Sequence, residues 1–162
     1  MPNADIVKGA EPFGRLLRLS PYQAESTIYP GDFVKQNANG TVEQAAATNA
    51  CIGVAQSYAT AGQTVLVWDD PQQLFVLQSD DATVDAQTDI GLGYDIVVAA
   101  GNATYKRSGM ELDGDSGGAG ATKQLKLLRI LPAVDNALGA NVKCVVQINN
   151  HQLAGGTGTA GV

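Results

Sequence analysis

Histidine is almost missing from this chain: His151 is the only one in 162 residues. Cysteine is nearly as scarce, with Cys51 and Cys144 alone and no CxxC spacing. Together these counts exclude a Cys/His zinc site. Charge is thin as well. Lys, Arg, Asp and Glu make up 16% of the residues, against about 25% in an ordinary globular protein. Ten cations against sixteen anions leave a net charge of −6. No Lys/Arg-rich run exists to form a phosphate-binding footprint, so nucleic-acid binding is excluded. No apolar run approaches the roughly 20 residues that a membrane-spanning helix requires. Residues 1–11 have neither the basic start nor the apolar centre of a signal peptide, so the expected compartment is cytosolic and buried free thiols are the default for the two cysteines. A disulfide between them stays open at this level. A surface so poor in charge must be neutral and polar, or partly buried against other chains.

What the chain does have is strand signals at close spacing. Its length suits one compact domain with arms or tails, long enough to bury a core without metal or disulfide staples. The most informative stretch is Gly53 to Asp81, GVAQSYATAGQTVLVWDDPQQLFVLQSDD. Its three apolar runs, Val54 to Tyr58, Val65 to Trp68 and Leu74 to Leu77, are too short for helices and rich in β-branched and aromatic residues. Asp69-Asp70-Pro71 separates the last two, because proline lacks an N–H and restricts the residue before it. Further strands are expected around 32–35, 41–44, 89–98, 110–112, 125–131 and 143–149, with Asn39-Gly40 as a hairpin turn supplying positive φ. Only Ala45 to Ala50 has helix-friendly composition. Ala99–Gly109 and Gly114–Thr122 read as loops. The expected fold is all-β, a compact barrel or sandwich over residues 22–150, with an extended N-terminal arm at 1–21 and a flexible Gly/Thr-rich tail at 151–162.

The arm carries the candidate contact residues. Pro2, Gly9, Pro12, Gly14 and Pro21 break regular structure there. Phe13, Arg15, Leu16, Leu17, Arg18 and Leu19 nevertheless form an apolar-basic patch that a solvated tail has no reason to hold. These six residues pack either on their own domain, as a first strand, or on a partner.

Several motifs invite chemistry. Gly114-Asp115-Ser116-Gly117-Gly118 matches the nucleophile loop of chymotrypsin-like proteases, whose glycines shape an oxyanion hole. A serine nucleophile there needs a histidine base upstream, and none exists; a polar turn explains the same letters. Asp69-Asp70, Asp80-Asp81 and Asp113-x-Asp115 could offer oxygen ligands to a hard cation, but none fits an EF-hand loop, and strand-end aspartates are read as turn formers. Gly91-Leu92-Gly93 lacks the rest of a dinucleotide fingerprint, and there is no P-loop. No catalytic residue, cofactor or metal is assigned. His151 is expected to be solvated just after the last strand, Trp68 to be core or interface, and the five tyrosines to be scattered.

The order Gly31-Asp32-Phe33-Val34, Gly53-Val54-Ala55, Val65-x-Val67, Asp69-Asp70-Pro71 and Phe75-x-x-Gln78-x-Asp80 resembles capsid cement (decoration) proteins of tailed bacteriophages. Gly91, Ser108-Gly109, Leu112-Asp113 and the Leu127–Leu131 strand continue the likeness, which covers roughly residues 28–132; its most specific part is Asp-Asp-Pro with the following Phe-x-x-Gln. The resemblance implies a structural virion protein on the capsid exterior, made in the host cytoplasm. It implies binding to the major capsid protein, self-association as a homotrimer that bridges neighbouring subunits, and no catalysis. The low charge fraction agrees, since centres of protein interfaces are depleted in charge. The arm is expected to anchor on the capsid or a neighbouring copy. The competing readings are a carbohydrate- or receptor-binding β module on a virion surface, disfavoured by an aromatic content of only 6%, a serine hydrolase through the 114–118 motif, and a major capsid subunit, which would need a long helix.

Overall fold

The computed structural model describes residues 3–154. They form eleven strands and two single-turn 3-10 segments, at Gln87–Asp89 and Gln152–Ala154, with no α-helix among them. The strands are β1 (Glu11–Phe13), β2 (Leu19–Gln23), β3 (Phe33–Gln36), β4 (Val42–Gln44), β5 (Gly53–Ala55), β6 (Thr64–Trp68), β7 (Leu74–Gln78), β8 (Gly93–Val97), β9 (Glu111–Gly118), β10 (Leu125–Ile130) and β11 (Lys143–Ile148). They make two antiparallel sheets. One has the order β1-β7-β11-β10-β8-β9, the other β2-β6-β5-β3-β4. The all-β architecture expected from the spacing of strands and turns is present.

Each sheet curls back on itself. In the five-stranded sheet Ala24, just past β2, bridges Val42 of β4, and Glu25 N–H donates to the Val42 carbonyl at 2.8 Å. In the six-stranded sheet Ser79, just past β7, bridges Leu112 of β9, and Asp80 N–H donates to the Leu112 carbonyl at 3.0 Å. Two apolar cores result. The smaller gathers Ile28, Val34, Val42, Ile52, Val65 and Val67 on the concave side of the five-stranded sheet. The larger joins Phe75, Leu77, Ile96, Leu112, Leu125 and Val146 of the six-stranded sheet to Phe33 and Val54 from the other. Neighbours along β3 and β5 therefore point to different cores: Phe33 and Val54 to the larger, Val34 and Ala55 to the smaller. This is why the stretches Phe33-Val34 and Val54-Ala55 are apolar on both sides, since alternation is lost where both sides are covered. Phe33 and Phe75 meet edge to face across the sheets, centroids 6.2 Å apart.

The chain begins in one sheet, enters the other at β2, and returns at β7. Only residues 14–18 and 69–73 cross between strands of the two sheets. Asp69-Asp70-Pro71 is thus a sheet-to-sheet crossing rather than a hairpin, and proline suits it because no ladder hydrogen bond is lost there.

Several expectations change. Residues 3–21 are woven into the domain, so residue 21 is not a boundary: Asn3 bonds Ala137 and Ala140 carbonyls at 2.8 Å, β1 pairs with β7 and β2 with β6. Gly9, at φ +75°, sits against the Gly31 carbonyl and the Ser108 side chain, where a Cβ would collide. Segment 45–50 is a turn, with the Asn49 side chain accepting from Ala46 N–H, because its alanines have no apolar face to dock as a helix. Residues 111–118 are strand where a loop was expected from 114; Gly114 and Gly117 are needed because side chains of Asp81, Thr83 and Tyr94 fill the space a Cβ would take. Residues 151–154 remain on the domain, and the rest of the expected tail, 155–162, lies outside the described residues. Both cysteines are buried free thiols, pushed up to about 12 by burial.

Candidate functional site

The six residues singled out in the sequence all fall at the first crossing. Phe13 ends β1, half-buried, with the Arg129 guanidinium 5.6 Å from its ring centroid. Gly14 turns the chain at φ +74°. Arg15 is exposed, and Leu16 and Leu17 follow at 57% and 38% exposure. Leu19, also 38% exposed, opens β2 opposite Trp68. Three leucines facing water within four residues form an apolar ridge with a basic flank. Scattered exposed leucines are ordinary; here three fall within four residues on a backbone held by long-range hydrogen bonds.

The ridge is fixed by the second crossing. The Gln73 side chain, 1% exposed, accepts from Leu17 N–H at 2.9 Å and donates to the Leu74 and Phe13 carbonyls at 3.0 and 3.5 Å. Arg18 Nε donates to Asp69 Oδ1 at 2.7 Å, and Arg18 Nη2 to the Asp69 carbonyl at 3.1 Å. Tyr22 OH donates to Asp69 Oδ2 at 2.7 Å. Burial alone would push the Asp69 carboxyl up, but the bonds from Arg18 and Tyr22 outweigh it and hold the group below the usual aspartate value. Asp69 is therefore a buried structural anion, a correction to its reading as a turn former. Its neighbour Asp70 is the turn former, accepting from Gln72 N–H at 2.8 Å. Arg18 is thereby committed to its own domain, leaving Arg15 and the leucines as the outward group.

Beside β1 lies a cleft of 410 Å³ walled by Lys8, Glu11, Pro12, Pro30, Trp68 and Arg107. A second, of 560 Å³, is bounded by Asp5, Ile6, Ala100, Gly101, Asn102 and Arg107. The acidic groups do not converge on a cation: among the described residues no three His, Cys, Asp or Glu side chains are placed to hold a metal. Gln78 instead bridges two of them, its amide donating to Asp5 and Glu111 at 2.9 Å each while its oxygen accepts from Ile6 N–H. Burial, with Asp5 and Asp80 nearby, pushes the Glu111 carboxyl up.

Ser116 spends its hydroxyl inside the sheet. It donates to the Asp113 carbonyl and accepts from Asp95 N–H, both at 2.7 Å, filling the register shift between β8 and β9. His151 is 1% exposed rather than solvated, because its backbone bridges Cys51 and carries the ring inward. Its Nδ1 accepts from Leu153 N–H at 3.1 Å, its Nε2 has no partner, and burial holds the ring below the ordinary histidine value.

The tyrosines are not all scattered. Tyr29 and Tyr58 lie 5.4 Å apart, Lys106 Nζ stands 4.3 Å over the Tyr58 ring, and Arg107 reaches over Tyr105 at 5.2 Å. Nothing in the sequence links Tyr29 and Tyr58 to the distant 102–107 loop, so this cluster was invisible there. The chain matches no family model, no curated protein and no solved structure.

Proposed function

We propose that this chain is a structural virion protein that binds the exterior of an assembled phage capsid and stabilises it by bridging neighbouring capsid subunits. Its partners under this reading are the major capsid protein and further copies of itself in a homotrimer. The observation that carries it is the ridge of Leu16, Leu17 and Leu19 on a backbone locked by Gln73 and Asp69. Such a ridge loses little conformational entropy on docking, because the backbone is already ordered. Burying three leucines at a contact contributes a few kcal/mol per copy at ~25 cal/mol/Å², and repeated copies on a shell add avidity. The family resemblance around Asp-Asp-Pro supports the same reading, since that segment is what holds the ridge.

Deleting residues 1–20 would remove β1 and the start of β2 and so test folding. Leu16→Ser with Leu17→Ser tests the contact instead, since both side chains are outside the cores. The expected result is unchanged stability, within about 0.5 kcal/mol, with occupancy of purified expanded shells reduced about tenfold or more. Full occupancy by the variant overturns the ridge as the contact. Failure of the wild-type protein to bind either compact or expanded shells overturns the whole reading, and a monomer by light scattering removes the trimer.

A further inference from the structure

The geometry points to a recognition site for a carboxylated saccharide at the 102–107 hairpin. The hairpin is built to hold its shape. Asn102 N–H donates to the Arg107 carbonyl at 2.7 Å and Arg107 N–H returns a bond at 3.3 Å. The Asn102 side chain accepts from Thr104 and Tyr105 N–H groups at 3.0 Å each, and Lys106 sits in the left-handed region at φ 50°. Gly101 packs on the face of Tyr29 so closely that a Cβ would overlap the ring.

This rigid tip carries two adjacent cations in a chain of net charge −6. Among the described residues neither Lys106 nor Arg107 forms an ion pair; both lie over tyrosine rings instead. Tyr105 is 70% exposed although Arg107 covers part of it, so most of the ring is open. Arg107 links the Tyr105 ring to the neighbouring cleft, with Lys106 next to it in the chain over Tyr58; an aromatic face beside a cation free of carboxylates suits a ligand with an apolar C–H face and an anionic group, which an acidic sugar combines in one ring. The adjoining 560 Å³ cleft runs from Arg107 to Asp5. A uronate ring can lay its C–H face on Tyr105, turn its carboxylate to Arg107 and present hydroxyl donors to Asp5, whereas an acidic peptide carries its carboxylates on flexible stems with no apolar ring to stack. This proposal does not rest on the capsid reading, and none of the six candidate contact residues between Phe13 and Leu19 takes part.

The test is titration calorimetry of the full chain with a short oligogalacturonate, with the carboxyl-reduced oligomer of equal length, and with polyglutamate. The expected result is saturable binding of the oligogalacturonate, about tenfold weaker for the reduced oligomer and for the Arg107→Gln and Tyr105→Ala variants. Melting temperatures should be unchanged; Tyr105→Leu, which keeps bulk without the π face, replaces the alanine variant if that one melts early. No saturable binding, equal binding of the reduced oligomer, or binding indifferent to both variants overturns the proposal. Polyglutamate binding as tightly as the sugar also overturns it, in favour of an acidic-peptide site. Shell occupancy of the same variants, expected unchanged, keeps the failure of this site distinct from failure of the capsid reading.

Discussion

Arg18 and Asp69, 51 positions apart, join the two crossings of the chain between the sheets through a 2.7 Å ion pair. The pair is asymmetric. The Arg18 side chain is 49% exposed and that of Asp69 only 3%. If Asp69 is removed, the guanidinium turns to water; if Arg18 is removed, a buried carboxylate is left with neutral hydroxyl partners, Tyr22 and Ser20, and no counter-charge.

Arg18→Ala should therefore cost more than Asp69→Ala, about 2–3 kcal/mol against about 1–2 kcal/mol, values below those of fully buried pairs because water screens the half-exposed guanidinium. Chemical denaturation of both variants measures this, and the reverse order would refute the account. The sign with pH follows from the depressed Asp69 value: the pair's contribution is complete above the unfolded-state pKa and is lost as pH falls through the folded one. The difference between wild type and Asp69→Ala should accordingly shrink in acid.

Glu111 shifts the other way. Burial raises its pKa in the fold, so its ionised form opposes folding above the folded value, and the penalty vanishes below the unfolded value of about 4.3. Glu111→Gln keeps an oxygen for the Gln78 amide while removing the charge. The variant should melt higher than wild type at neutral pH and level with it near pH 3.5. A variant less stable at neutral pH would show that the Gln78 contact outweighs the buried charge.

His151, as the sole histidine, gives a separable signature. Its folded pKa is lowered by burial, so the unfolded chain takes up a proton first. Stability should fall as pH drops below about 6.5. His151→Gln should flatten that slope between pH values of about 7 and 5. An unchanged slope would mean that the ring is protonated within the fold.

Gly53 tests the close approach of β5 to β6. A Cβ there would run into the Trp68 carbonyl oxygen and the Val67 side chain, neither of which can swing away. Gly53→Ala should cost about 1–3 kcal/mol by overpacking, whereas Gly62→Ala, with no heavy atom near its Cβ position, is limited to the strain of φ +83°. Equal melting temperatures for the Gly53 variant and wild type would disprove the packing.

Where residues meet neighbours close in sequence or repeat with period two, the chain declared its structure. Val65-x-Val67 and Leu125-x-Leu127 are strands because alternation puts their apolar side chains on one face. Asp69-Asp70-Pro71 stops β6, and Asn39-Gly40 turns the chain with Gly40 at φ +86°. The segment from Phe13 to Leu19 stood out in the sequence for its four large apolar side chains in seven residues, of which Leu16, Leu17 and Leu19 face water in the fold. What the sequence withheld depends on pairing across long separations. The 114–118 segment reads as a loop until β8 supplies a partner strand and Ser116 fills its register shift. Asp69 reads as a turn former until Arg18 and Tyr22 arrive from β2. Tyr29 and Tyr58 are unremarkable until the 102–107 hairpin places Lys106 over one of them. Local backbone preference is set within a few residues and is fixed by sequence alone. The partner of a buried charge, the closure of a sheet and the gathering of distant rings are set by which surfaces the whole chain must bury together, and only the tertiary structure decides those.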